Sequence, residues 1–127
     1  MLDRFYGIEN FYIAKGKTDL RMGIEGLAHK VTAEFKLDPY QNCAFLFCGG
    51  RSNRVKVLIW EGDGFTLMYK RFESGRMQWP RTSNEAKQIT KQQLEWLFSG
   101  IQIEPPKPIV KIKKIPVFEE DIMSLLK

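Results

Sequence analysis

The sequence predicts a single α+β domain: an antiparallel β-meander sheet of four to five strands, with a long helix at about 19–36 and a short helix at about 91–98 packed on it. Three observations predict it. An apolar stripe at helical spacing follows the first apolar run, short β-rich runs alternate with Gly-rich turns, and a capping box opens a second helical segment. The 127 residues suffice for one compact domain and are few for two. With 43% hydrophobic and 13% aromatic residues, there is material for a core. The globular domain is placed at 1–104, and residues 105–127 form a Pro/Lys-rich tail, extended or docking on a partner.

Residues 8–14, IENFYIA, are apolar and aromatic and stop at Lys-Gly-Lys, which reads as a first strand. Thr18 or Asp19 then offers a side-chain oxygen as a helix cap. From there Leu20, Ile24, Leu27, Ala28, Val31 and Phe35 draw one apolar stripe, and Asp38-Pro39 ends the helix. Gly23 and Gly26 weaken it by roughly 1 kcal/mol each relative to Ala; close approach to a sheet would explain them.

The run 43–48, CAFLFC, is continuously apolar and predicts a strand buried on both faces. Residues 49–53 form a turn cluster. Two further strands, 55–60 and 65–72, are joined by Glu61-Gly62-Asp63-Gly64, a hairpin connection with glycines free to take positive φ. Residues 76–79 read as a short edge strand stopped by Pro80, which would complete a meander with one sheet face partly open, bearing Lys56 and Lys70 near Trp60. Thr90-x-x-Gln93 is the capping box, Leu94, Leu97 and Phe98 the buried stripe, and Gly100 the stop.

Charge is distributed unevenly. Residues 51–91 carry nine Lys/Arg against four acids, an excess of five equal to the net charge of the whole chain; the segments on either side balance. A local positive field of this kind favours a polyanionic partner. Within it Arg51, Arg54, Lys56, Lys70, Arg71, Arg76 and Arg81 are candidate phosphate contacts, with Trp79 or Tyr69 offering a stacking face to a base. The N-terminus has no signal-peptide pattern, and no apolar run approaches the ~20 residues of a membrane helix. The expected location is the cytoplasm, without membrane contact.

Catalytic and cofactor chemistry finds little support. Two cysteines, Cys43 and Cys48, and one histidine, His29, do not supply a four-ligand zinc site. No phosphate-loop or dinucleotide fingerprint is present. Asp19, Glu61, Asp63 and Glu73 form a two-metal nuclease site on paper. The simpler assignment gives Asp19 to a helix cap, Glu61 and Asp63 to a turn, and Glu73 to a neighbouring Arg. The expectation is therefore a non-enzymatic protein with no metal, cofactor or small-molecule substrate.

The wording of two stretches adds a family. FYIAKGKTDLRMGIEGLA (11–28) and RSNRVKVLIWEGDGFTLMYKRFESGRMQWP (51–80) resemble the accessory TnpB proteins of IS-sixty-six-type bacterial insertion sequences, and 94–101 resembles the family's leucine-rich helix with its closing Gly-Ile. The likeness covers about residues 8–103. Thr18, Asp19, Arg21, Gly23, Arg54, Lys56, Trp60, Gly62, Asp63, Gly64, Tyr69, Lys70, Arg71, Gly75, Trp79 and Pro80 match the pattern. Glu61 stands where Asp is common, and the tail after Pro105 matches nothing. The resemblance implies a small protein encoded beside a separate DDE transposase and required for movement of the element. Three roles are compatible with it: DNA binding through the basic hairpin in aid of the transposase, docking on the transposase without DNA contact, or metal-dependent cleavage through Asp63 and its neighbours. The first is the leading expectation, with DNA and the transposase as partners.

Overall fold

The computed structural model describes residues 2–104; the tail at 105–127 lies outside the described residues. A 3-10 turn at Leu2–Phe5 precedes β1 (Asn10–Ala14), α1 (Ile24–Ala33), β2 (Cys43–Cys48), β3 (Arg54–Trp60), β4 (Phe65–Arg71), β5 (Ala86–Ile89) and α2 (Lys91–Phe98). The five strands form one mixed sheet in the order β4-β3-β2-β1-β5.

The sheet departs from a simple meander at its centre. β1 and β2 pair in parallel, with Asn10 opposite Cys43 and Ile13 opposite Leu46. Parallel neighbours need a crossover, and α1 supplies it. The antiparallel meander is β2-β3-β4, beginning one strand earlier than the turn pattern suggests. Residues 76–79 are not a strand. Met77 N–H donates to the Ser52 carbonyl (2.8 Å) and the Trp79 indole to the Ala14 carbonyl (3.0 Å), so this segment is pinned beneath the sheet instead of extending its edge. The edge next to β1 is β5, antiparallel and four residues long, which the sequence pattern did not announce.

The long helix is also shorter than its apolar stripe. Asp19 does not cap it: its carboxylate accepts from the Arg21 backbone N–H and guanidinium, which folds 19–22 into a turn. Gly23, in extended conformation, is the N-cap, and ten helical residues follow. A Cβ at Gly26 would meet the Met22 side chain at 3.2 Å, so its neighbour is this turn and not the sheet. The helix ends through Lys36, a non-glycine residue at φ +56°, as Leu37 N–H bonds back to the Val31 carbonyl. By contrast α2 spans the expected residues, and both halves of the Thr90–Gln93 capping box are formed.

Both sheet faces are covered. Leu27 and Val31 of α1 pack on Phe45, Phe47 and Leu58. On the other side Trp79, Leu94 and Leu97 pack on Ile13, Leu46 and Val57. All six residues of β2 are buried, as a central strand requires. Cys43 and Cys48 are free thiols on opposite faces. Lys56 and Lys70 do not share a face either, since Lys70 stands opposite Val55 and Lys56 opposite Tyr69.

Candidate nucleic-acid interface

Parallel pairing of β1 and β2 brings their carboxyl ends, Ala14 and Cys48, to the same end of the sheet. Loops 15–23 and 49–53 leave from there, β3 starts there, and β4 finishes there. Ligand crevices in sheets with parallel strands favour this end. A cavity of about 600 Å³ opens between these segments, lined by Lys17, Thr18, Asp19, Leu20, Arg21, Gly49, Gly50, Arg51, Arg54 and Tyr69. Thr18 N–H donates to the Cys48 carbonyl (2.8 Å) and ties the two loops together.

Its electrostatics are positive. Four cations, Lys17, Arg21, Arg51 and Arg54, line it with a single acid, Asp19. That acid is already committed: Arg21 reaches it with Nε (3.0 Å) and Nη2 (2.9 Å), and these hydrogen bonds lower the Asp19 pKa to about 2. Arg54 also sits directly opposite Arg71 in the β3–β4 ladder, a like-charge pairing that is unfavourable by itself. Glu73 offsets Arg71 at 2.9 Å, whereas Arg54 has no carboxylate partner among the described residues.

Three buried side-chain atoms without a partner among the described residues fall at this corner: Thr18 Oγ1, Asn53 Oδ1 and Arg54 Nε. Thr18 is only 2% exposed. Buried polar atoms are normally satisfied, and leaving one unpaired costs about 1–3 kcal/mol.

The predicted contact residues separate into groups. Arg51 and Arg54 line the cleft, with Tyr69, 53% exposed, at its rim. Arg71 is exposed beside Glu73, and Arg76 is exposed in the turn that follows. Lys70 lies on the opposite face, with its ammonium 5.4 Å from the Phe72 ring centroid. Lys56 donates to the Met22 carbonyl (3.0 Å) and steadies the turn before α1. Trp79, at 5% exposure, is a core residue and presents no ring face to a base. Arg81 braces the cleft from behind: its guanidinium donates to the Gly16 carbonyl (2.8 Å), the Gly49 carbonyl (2.6 Å) and Ser52 Oγ (3.2 Å). Trp60 packs edge-on with Tyr40 and Phe65, both at 4.9 Å between centroids.

Lys17 was missed by sequence reasoning. It is remote from the basic hairpin in sequence and reaches it only through the parallel crossover. Its side chain lies along Gly50, where an added Cβ would be 3.6 Å from the ammonium nitrogen.

The acids are dispersed. Glu61 accepts from the Thr66 hydroxyl, Asp63 is exposed in the hairpin loop, Glu73 pairs with Arg71 and Asp19 with Arg21. Among the described residues, no group of three or more His, Cys, Asp and Glu is arranged to hold a metal ion. His29 is exposed on α1. Among the described residues, no helix is long and apolar enough to cross a membrane.

Comparison with known families matches residues 9–108 to the family described as IS66 Orf2 like protein. The chain belongs to this family. This Orf2-like protein therefore carries an accessory role in transposition and works with the IS66 transposition machinery. It is 36% identical over 104 residues to the uncharacterized protein y4hO of Sinorhizobium fredii (strain NBRC 101917 / NGR234), covering 82% of this chain and 90% of that protein. It is 29% identical over 89 residues to the uncharacterized protein y4jC of the same strain, covering 70% and 76%. No solved structure matches the Orf2-like chain.

Proposed function

We propose that this accessory protein binds DNA through the basic cleft at the carboxyl ends of β1 and β2 and assists the element's transposase without itself cutting the strand. The carrying observation is the convergence of Lys17, Arg51 and Arg54 on one cavity whose lining acid, Asp19, is already paired with Arg21. Cations grouped in this way release condensed counterions when they meet phosphates, which gives affinity that depends steeply on salt. Tyr69 at the rim provides an aromatic face beside the cations, the combination used on unpaired bases.

The test is a mobility-shift titration of the full chain with single- and double-stranded oligonucleotides from low to high salt. Log affinity is expected to fall with log salt by about 0.7–0.9 per neutralised phosphate. Arg51→Glu is expected to weaken binding to both forms. No shift beyond that of a neutral control protein at low salt refutes the reading.

A second role, docking on the transposase, is favoured by the aromatic group at the other end of β3 and β4. Tyr40 there is 58% exposed and packs against Trp60 and Phe65. Aromatic side chains of this kind are frequent interface anchors. Co-purification with the transposase, comparing wild type with Tyr40→Ser, tests it. Equal recovery of transposase would remove this patch from consideration.

A further inference from the structure

Thr18 and Arg54 raise a question that salt-dependent DNA binding alone does not answer. A general basic surface works with solvated cations and has no need of buried donors. Yet Thr18 Oγ1 and Arg54 Nε both lack a partner among the described residues, both are buried, and both belong to residues lining the same cavity. Asn53 Oδ1, the third such atom, belongs to the residue before Arg54, which does not line it. A threonine hydroxyl and a guanidinium N–H are both donors. A group that takes a hydrogen bond from both must therefore offer acceptor oxygen, which a phosphate supplies on several atoms.

The charge of that group follows from its surroundings. Lys17 and Arg51 add positive charge to the cavity wall, while Asp19 is held by Arg21 and adds little net negative field. Gly49 and Gly50 place bare backbone along another side. The cavity, at about 600 Å³, exceeds the size of one oxyanion and reaches Tyr69, which leaves room for a larger molecule that carries the anion. Resting on the DNA-binding reading above, we propose that this cleft seats one phosphate group of a nucleic-acid strand. Thr18 Oγ–H and Arg54 Nε–H donate to its oxygens, Lys17 and Arg51 balance its charge, and Tyr69 stacks on the adjoining base. The phosphate belongs either to a strand's 5′ end or to its interior, and the same chemistry serves both.

The test uses the full chain, Thr18→Val and Arg54→Gln, with three probes: a 5′-phosphorylated single-stranded oligonucleotide, its 5′-hydroxyl counterpart, and inorganic phosphate. Fluorescence anisotropy measures oligonucleotide binding, and the NMR signal of Arg54 Nε–H reports phosphate. Each variant is expected to lose about tenfold in oligonucleotide affinity. Thr18→Val keeps or raises the melting temperature, because it replaces an unpaired buried hydroxyl with a methyl group of the same shape. Arg54→Gln lowers the salt slope by about one. Inorganic phosphate is expected to shift the Arg54 Nε–H signal. Preference for the 5′-phosphorylated strand assigns the seat to a strand end; equal affinity assigns it to an internal phosphodiester. Variants that stay folded and bind oligonucleotide like wild type overturn the seat while leaving DNA binding intact. If wild type ignores DNA, the broader reading fails, and the phosphate-induced shift alone decides the seat: its absence overturns that too.

Discussion

Replacing Arg81 with alanine separates a structural brace from a DNA contact. The guanidinium holds two main-chain carbonyls, Gly16 and Gly49, in the loops that form opposite walls of the cleft. Ser52 Oγ at 3.2 Å is a weaker third partner. Hydrogen bonds from a charged group contribute about 1.5–3 kcal/mol each when buried. Arg81 is exposed over much of its length, so about 1 kcal/mol per carbonyl is the appropriate scale. Adding the stem's packing gives about 2–3 kcal/mol for Arg81→Ala, or roughly 8–12 °C in melting temperature at about 4 °C per kcal/mol. Lysine at this position recovers part of the loss, since one ammonium lacks the fork that reaches both loops. The assay is thermal denaturation followed by circular dichroism, beside oligonucleotide affinity measured well below the transition. A melting temperature within about 2 °C of wild type, together with a tenfold loss of affinity, would make Arg81 a phosphate contact and refute the brace.

Other expectations follow from the same contacts. Trp79→Phe leaves the Ala14 carbonyl without its indole donor and opens space in the core, so chemical denaturation should show a loss of about 1–3 kcal/mol. Thr90→Ala removes the cap that accepts from Gln93 N–H and should cost about 1 kcal/mol in the same experiment. Glu104 has its pKa lowered, first by its hydrogen bond to Lys87 and then by Lys15. A lowered folded-state value stabilises the fold above the ordinary carboxylate pKa of 4.5, and that contribution is lost as pH falls through the folded value. Glu104→Gln should therefore lower stability above that value and leave it little changed at the acid end, which flattens the acid limb of the profile. Burial pushes the Cys48 thiol up to about 11 against the opposing effect of Arg81, so thiol reagents at pH 8 should label it only after unfolding.

The elements that local signals define were legible in the sequence. The α2 cap needs only Thr90 and Gln93, three residues apart, and the β3–β4 hairpin needs only its Gly-rich loop, where Gly62 takes φ +90°. What local signals do not carry is strand partnership. An all-apolar β2 is consistent with a central strand of either direction, so nothing in CAFLFC itself selects parallel pairing with β1. The helix boundary was obscured for a related reason. Leu20 does pack against the α1-side core, which extends the apolar stripe, but it does so, with Met22, from the Asp19–Arg21 turn and not from helical geometry. An apolar residue reports burial more directly than it reports backbone conformation. The strand β5 was hidden because a four-residue edge with two polar positions lacks both length and alternation.

The candidate site shows a different limit, which concerns competition for cations. Counting charges along the chain assigned the positive field to 51–91, yet two cations chosen there are claimed by protein acceptors, Lys56 by the Met22 carbonyl and Arg81 by Gly16 and Gly49, and the Trp79 indole is likewise taken by Ala14. Each claim comes from a carbonyl in a loop or at a strand end, so the count overstates what remains for a ligand. It understates elsewhere. Lys17 belongs to a segment with no net charge, yet two of its acids are spent on other cations, Glu34 on Lys30 and Asp19 on Arg21. The parallel β1–β2 pair then carries Lys17 to within reach of Gly50, beside Arg51 and Arg54. The field that matters is thus set by which cations still lack an acceptor after the chain has folded. At this end of the sheet Arg54 Nε and Thr18 Oγ1, unpaired among the described residues, are the atoms that the proposed phosphate seat would satisfy.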